Sequence, residues 1–160
     1  VGLERKKIIN KAIMEKLIFV VAAVALLSSC ATSPVPLSEA KATPADRVFL
    51  ADLGSSAAAG NIVVSRDSGF LGGGCFVGFY IDGSLVAKMD TGEKARFPVS
   101  AGEHVVGVGN PGGNGLCAFN KDYRRETSTI IKAGDVKYFR MVVRPGDGIA
   151  LEPTTMITEK

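Results

Sequence analysis

The chain has 160 residues, 46% of them hydrophobic and 22% charged, with 19 Gly, 3 Cys, a single His and no Trp. Its formal net charge of +3 resides in the first 29 residues, which hold five basic and two acidic side chains; fourteen of each sign remain from Cys30 onward, interspersed along the chain. That balance excludes the clustered basic face of a nucleic-acid binder, the lack of Trp argues against a sugar-stacking platform, and the roughly 130 residues that follow suffice for one core but not two.

The first element in chain order is a leader. Arg5, Lys6, Lys7, Lys11 and Lys16 precede an apolar run from Leu17 to Leu27, and Leu27-Ser28-Ser29-Cys30 closes it with small residues and a Cys. This is the layout of an export signal, and its ending resembles the lipobox of bacterial lipoproteins. The competing reading is a transmembrane anchor, which needs about 20 apolar residues; this run is too short. Cleavage before Cys30 is therefore expected, with Met14 an alternative start inside a long n-region. The resemblance implies diacylglycerol and palmitate-type chains on Cys30 as the hold on the membrane. Ala31 after the Cys resembles an outer-membrane sorting signal, with the domain facing either the periplasm or the cell surface.

Residues 31–46 carry Pro34, Pro36 and Pro44 among Ala, Ser and Thr. Such a Pro/Ala/Ser composition cannot fold alone and reads as an extended tether, with a reach on the order of 50 Å in polyproline geometry. The expected organisation is thus a signal peptide over 1–29, the lipidated Cys and flexible tether over 30–46, a domain over 47–153 and a short tail over 154–160.

From Arg47 onward, short β-branched and aromatic runs alternate with Gly, Asp, Asn and Pro at a spacing of about ten residues. Strands are expected at Arg47 to Leu53, Ile62 to Arg66, Cys75 to Ile81, Ser84 to Met89, Lys94 to Val99, His104 to Val108, Thr127 to Lys132, Val136 to Arg144 and Ile149 to Glu152. Asp82-Gly83 fits a type I′ hairpin turn, since both residues accept positive φ; turns are also expected at Gly102 and Gly134. Repeated hairpins without crossover helices predict an all-β fold, a single antiparallel β-sandwich or a partly closed barrel.

Three stretches carry a further likeness: Phe79-Tyr80-Ile81-Asp82-Gly83-Ser84-Leu85-Val86, Ala95 through Val105, and Lys132-Ala133-Gly134-Asp135-Val136-Lys137-Tyr138-Phe139. In their order the chain resembles a family of bacterial lipoproteins whose small Ig-like sandwich is related in pattern to PEGA and carboxypeptidase-regulatory-like modules. It departs from them at Ser100-Ala101, where the family often has Pro, and in a Gly-rich insert from Val108 to Asn120. The resemblance implies the sandwich and brings no activity.

Chemistry is sparse. Cys75 and Cys117 form an even pair in an exported chain, so a disulfide is expected; the alternative is two buried free thiols. With His104 they are too few, at unrecognised spacing, for a zinc site, and no metal or cofactor is expected. Gly107-Val108-Gly109-Asn110-Pro111-Gly112 has the letters of a dinucleotide fingerprint, but Pro111 and the glycines after it forbid prompt helix entry. Gly72-Gly73-Gly74 lacks the Lys and hydroxyl of a phosphate loop. No catalytic residue is assigned, and His104, opening a strand after a turn, reads as a structural group.

Alternation sends Cys75, Val77, Phe79 and Ile81 to one face, expected to be core, and Phe76 and Tyr80 to the other, where they are candidates for a contact surface. The resulting expectation is a lipid-anchored, non-catalytic binding or structural module with an envelope protein as partner. Two alternatives stand beside it. A chaperone- or inhibitor-like module would offer an open sheet edge along Val136 to Val143. A hydrolase would join His104 to a Ser and a carboxylate in a pocket.

Overall fold

The computed structural model describes Met14 and residues 32–49, 60–69, 73–113, 117, 123–144 and 146–155. The chain divides into two compact units, Val1–Cys30 and Ala31–Lys160. The predicted leader, Met14 excepted, and Cys30 lie outside the described residues, as do residues 50–59, the three-residue run 70–72 and the end of the tail.

The second unit is all-β, with nine strands among the described residues: β1 (Lys41–Ala42), β2 (Gly60–Arg66), β3 (Val77–Ile81), β4 (Ser84–Met89), β5 (Glu93–Val99), β6 (Gly102–Gly109), β7 (Arg124–Ile131), β8 (Val136–Arg144) and β9 (Gly148–Pro153). They form a five-stranded sheet, β1-β5-β2-β8-β9, and a four-stranded one, β4-β3-β6-β7. The four-stranded sheet is antiparallel throughout. Its β3–β4 turn has Asp82 at φ 50° and Gly83 at φ 81°, the two positive values that a type I′ connection requires.

One hydrophobic cluster takes side chains from both sheets: Ile62, Val64, Phe97, Val99, Phe139 and Met141 from the five-stranded sheet, and Val77, Phe79, Ile81, Val86, Met89, Val106, Val108 and Ile131 from the other. Phe79 and Phe97 meet in it with ring centroids 5.4 Å apart. On β3, alternation puts Val77, Phe79 and Ile81 in the core as expected.

Three features differ from the sequence expectation. The five-stranded sheet is mixed, because β1 runs parallel to β5 and β2 parallel to β8. Parallel neighbours need a crossover; between β2 and β8 the chain makes it by passing through the other sheet, a route no local pattern encodes. Second, the first expected strand is replaced by a 3-10 turn at Ala45–Arg47, a single bridge from Val48 to Ala87, and a hydrogen bond from Phe49 N–H to Val86 C=O; the rest of that expected strand lies outside the described residues.

Third, residues 32–46 form part of the folded unit and not a free tether. The Pro36 carbonyl accepts from Glu39 and Ala40 N–H, closing a turn that buries Leu37 and Ala40. β1 then lies on β5, and the Lys94 ammonium donates to the Leu37 carbonyl. The composition cannot fold alone, and it does not: the edge groups of β5 supply the partners that this segment lacks.

Candidate functional site

His104, Asp82 and Ser100 meet at one end of the four-stranded sheet. β6 begins at Gly102, so His104 lies beside the β3–β4 turn, and its Nδ1 is 2.7 Å from Asp82 Oδ2. Asp82 Oδ1 accepts the Val105 N–H at 2.9 Å. His104 Nε2 is 3.0 Å from the Ser100 carbonyl and 3.5 Å from Ser100 Oγ. The three side chains have the composition of a catalytic triad but different wiring. A base needs a free lone pair on Nε2 aimed at the hydroxyl; here Nε2 lies nearer the Ser100 carbonyl, an acceptor, than the hydroxyl, and Nδ1 faces a carboxylate. Burial disfavours the cation, yet the hydrogen bonds to Asp82 and to the Ser100 carbonyl, with the Asp82 charge, leave the His104 pKa raised. Both partners are acceptors, so the protonated imidazole clamps the β3–β4 hairpin turn to the connection that carries the chain from β5 to β6.

The opposite end carries buried charge that the sequence reading did not single out. Arg66, at the end of β2, is 1% exposed, and its Nη1 donates to the Cys75 carbonyl at 2.8 Å and the Met89 carbonyl at 2.6 Å. One guanidinium therefore joins the end of β2 to the chain entering β3 and to the end of β4. Burial lowers its pKa, against the charges of Asp90 and Glu93. Asp67 is 2% exposed and lies 3.0 Å from Arg140 Nη2, an ion contact without aligned hydrogen-bond geometry. Desolvation raises the Asp67 pKa, opposed chiefly by the Arg140 charge. The only signal available beforehand was the Arg-Asp pair closing the apolar run Ile62-Val63-Val64.

Cys75 and Cys117 are joined by a disulfide at this same end, with Cα atoms 5.5 Å apart. The first described residues of the second unit also lie at this end. Thr32 Oγ1 accepts the Val143 N–H at 3.1 Å and donates to the Val143 carbonyl at 3.2 Å, and Ser33 and Ser68 exchange backbone hydrogen bonds at 2.7 and 3.0 Å.

The two aromatic contact candidates part company. Phe76 is 45% exposed, with the Arg47 guanidinium 4.6 Å from its ring centroid. Tyr80 is 7% exposed, because its ring lies over Gly78 and beneath the Arg124 guanidinium at 3.8 Å. A Cβ at position 78 would come within 2.8 Å of the Tyr80 ring, so the glycine is what lets the tyrosine fold down. Tyr80 is a covered residue and not an open contact. Gly134 sits in the β7–β8 turn at φ 81°.

Two larger hollows exist among the described residues. One, of about 420 Å³, is lined by Leu37, Thr43, Val48, Val63, Lys94 and Arg96, where the N-terminal segment crosses β2 and β5. The other, of about 730 Å³, runs between β7 and the β8–β9 pair past Thr127, Thr129, Tyr138, Phe139 and Pro153. Neither is lined by His104. The expected open edge along Val136 to Val143 is absent, since β8 sits between β2 and β9. The edge strands of the four-stranded sheet are β4 and β7, and β7 is exposed along most of its length, with Ile130 at 63%. Among the described residues no group of three or more His, Cys, Asp or Glu is placed to hold a metal ion. Comparison of the chain with protein-family models, with curated proteins and with solved structures finds no match to any of them.

Proposed function

We propose that this chain is a lipoprotein of the bacterial envelope: a signal peptide cleaved before Cys30, acyl chains on that cysteine in the outer membrane, and an Ig- or PEGA-like β-sandwich that serves as a non-catalytic binding or structural module for another envelope protein. The observation that carries the reading is the coincidence of two boundaries. The second compact unit begins at Ala31, the residue after the lipobox-like Cys30. Removal of residues 1–29 would leave that unit whole, with the acylated residue at its start. The disulfide suits an oxidising compartment, and the core shared by two sheets suits a sandwich. The partners of His104 support a non-catalytic reading, because both ring nitrogens face acceptors, a carboxylate and a carbonyl, and Nε2 lies nearer the Ser100 carbonyl than the hydroxyl it would have to activate.

The test is mass spectrometry of the mature N-terminal peptide from the natural host, with a Cys30→Ala variant beside it. An acyl-modified Cys30 as the first residue is expected, and release of the variant from the membrane fraction. An intact, unmodified amino end would overturn the proposal.

A second reading is favoured by the exposure of β7. A strand from a partner would add to this edge by main-chain hydrogen bonds, with Ile130 and the hollow beside Tyr138 and Phe139 taking its side chains. Replacing Ser128 by Pro, which bars a donor on an edge strand, separates the two readings: partner capture would be lost in the second and kept in the first.

A further inference from the structure

We infer that the end of the domain formed by Thr32, Ser33, Ser68, Val143 and the β8–β9 turn rests directly against lipid headgroups, a deduction that depends on acylation of Cys30 as proposed above. Only Ala31 lies between Cys30 and Thr32. Two Cα-to-Cα steps span at most about 7 Å, and Thr32 is already fixed: its hydroxyl takes both backbone groups of Val143, and the next residue is bridged to Ser68. A bilayer of about 30 Å of hydrocarbon and 40–45 Å overall has a headgroup layer roughly 6 Å deep on each side. The glyceryl group borne by the Cys30 sulfur belongs to that layer. A leash of about 7 Å anchored there leaves no room for a water gap beneath Thr32, whereas a free tether of the same sequence would allow on the order of 50 Å.

The charges at this end fit a headgroup surface of no net sign. Arg144 pairs with Glu152, Arg125 with Asp147, and Arg140 with Asp67. The acyl chains supply the attachment and the Thr32 and Ser33 bonds supply the orientation. β8, nine residues long, spans about 30 Å at the usual rise of about 3.3 Å per residue. The turns at Asp82-Gly83, Ser100-Ala101 and Ala133-Gly134 are therefore held away from the membrane, and they are the surface offered to whatever the envelope presents.

The test uses the full, acylated protein in phosphatidylcholine vesicles carrying a headgroup nitroxide, with a fluorescent unnatural amino acid at Asp147, beside the attachment, or at Ala101, at the far end. Severalfold stronger quenching at Asp147 than at Ala101 is expected. Inserting about ten Gly/Ser residues between Ala31 and Thr32, a root-mean-square span of roughly 17 Å, is expected to abolish the difference while leaving acylation intact. The unacylated Cys30→Ala chain should not bind these vesicles. Equal quenching at the two positions with the acyl mass present on Cys30 would overturn the orientation and leave the lipoprotein proposal standing. Absence of the acyl mass would overturn both.

Discussion

The two ends of the strands are closed by opposite kinds of chemistry. At the end that carries the chain's entry, closure is non-local: a disulfide across 42 positions, a Thr32 bond to Val143 across 111, and an Arg66 guanidinium bridging to carbonyls of Cys75 and Met89. At the other end, closure is mainly by short turns and ion pairs of small separation, His104 with Asp82 across 22 positions and Lys137 with Asp135 at the β7–β8 turn, beside a backbone bond from Asn61 N–H to the Asp135 carbonyl. A covalent link between distant segments restricts the unfolded chain, and the buried hydrogen bonds beside it are costly to break, so the first end is expected to set global stability. The second is built largely from turns, where sequence change is best tolerated, which suits the recognition role proposed for it.

The largest effect should come from the disulfide. Replacing Cys75 and Cys117 by Ala frees a loop of 42 positions, a change worth about 4 kcal/mol in the chain-entropy model. A loss of that order in the unfolding free energy from urea titration checks it. A loss no larger than that of a far-end turn variant would erase the contrast between the ends. Next is Arg66→Met, which keeps most of the volume but leaves two carbonyls without their donor; about 3 kcal/mol is expected from groups this buried. Thr32→Val should follow at about 1–2 kcal/mol, because the N–H and C=O of Val143 lose their partner. Its sharper readout is hydrogen exchange, which should rise at Val143 while the β3–β4 hairpin at the far end stays protected.

The same contrast explains what could be read from the sequence. The β3–β4 hairpin was legible because Asp82-Gly83 encodes its own turn, and strands β4 and β8 follow the expected ranges because their β-branched runs end in Gly or charged punctuation. The pairing of β2 with β8 was not, since two apolar runs in separate parts of the chain carry no mark of which will be neighbours or in which direction. Residues 32–46 were read from a composition that predicts behaviour in isolation, and their docking depends on edge groups of β5. Alternation along β3 assigned Tyr80 correctly to the outer face; its burial required Gly78 and Arg124, the latter brought over from β7. Of the candidate site residues, the pairing of Cys75 with Cys117 was accessible by counting the cysteines that follow the export-like leader. Arg66 and Asp67 were hidden because a charged residue at a strand end ordinarily signals exposure, and Arg140, midway along β8, carried no mark that it would face Asp67.

The smallest expected effect belongs to the far end, and its pH dependence gives it a signature. Against burial, which lowers it, the folded-state pKa of His104 is raised above that of an ordinary histidine by its bonds to Asp82 and the Ser100 carbonyl. Folding therefore gains from the protonated imidazole; the gain is complete below the unfolded-state value and is lost as pH rises through the folded one. The domain should accordingly lose a little stability on going from about pH 6 to about pH 8, the range in which an ordinary histidine gives up its proton. Asp82→Asn removes the carboxylate that both holds Nδ1 and accepts the Val105 N–H. Asp82 is half exposed, its side chain 53% accessible, so the pair is screened and the loss at low pH should stay near 1 kcal/mol or below. What should change is the slope: the variant's thermal midpoint is expected to be nearly flat across the same interval, and an NMR titration should place its His104 below the wild-type value. A steep slope that survives Asp82→Asn would mean that the pH response comes from elsewhere, and would remove the ion pair from its role as the closure of this end.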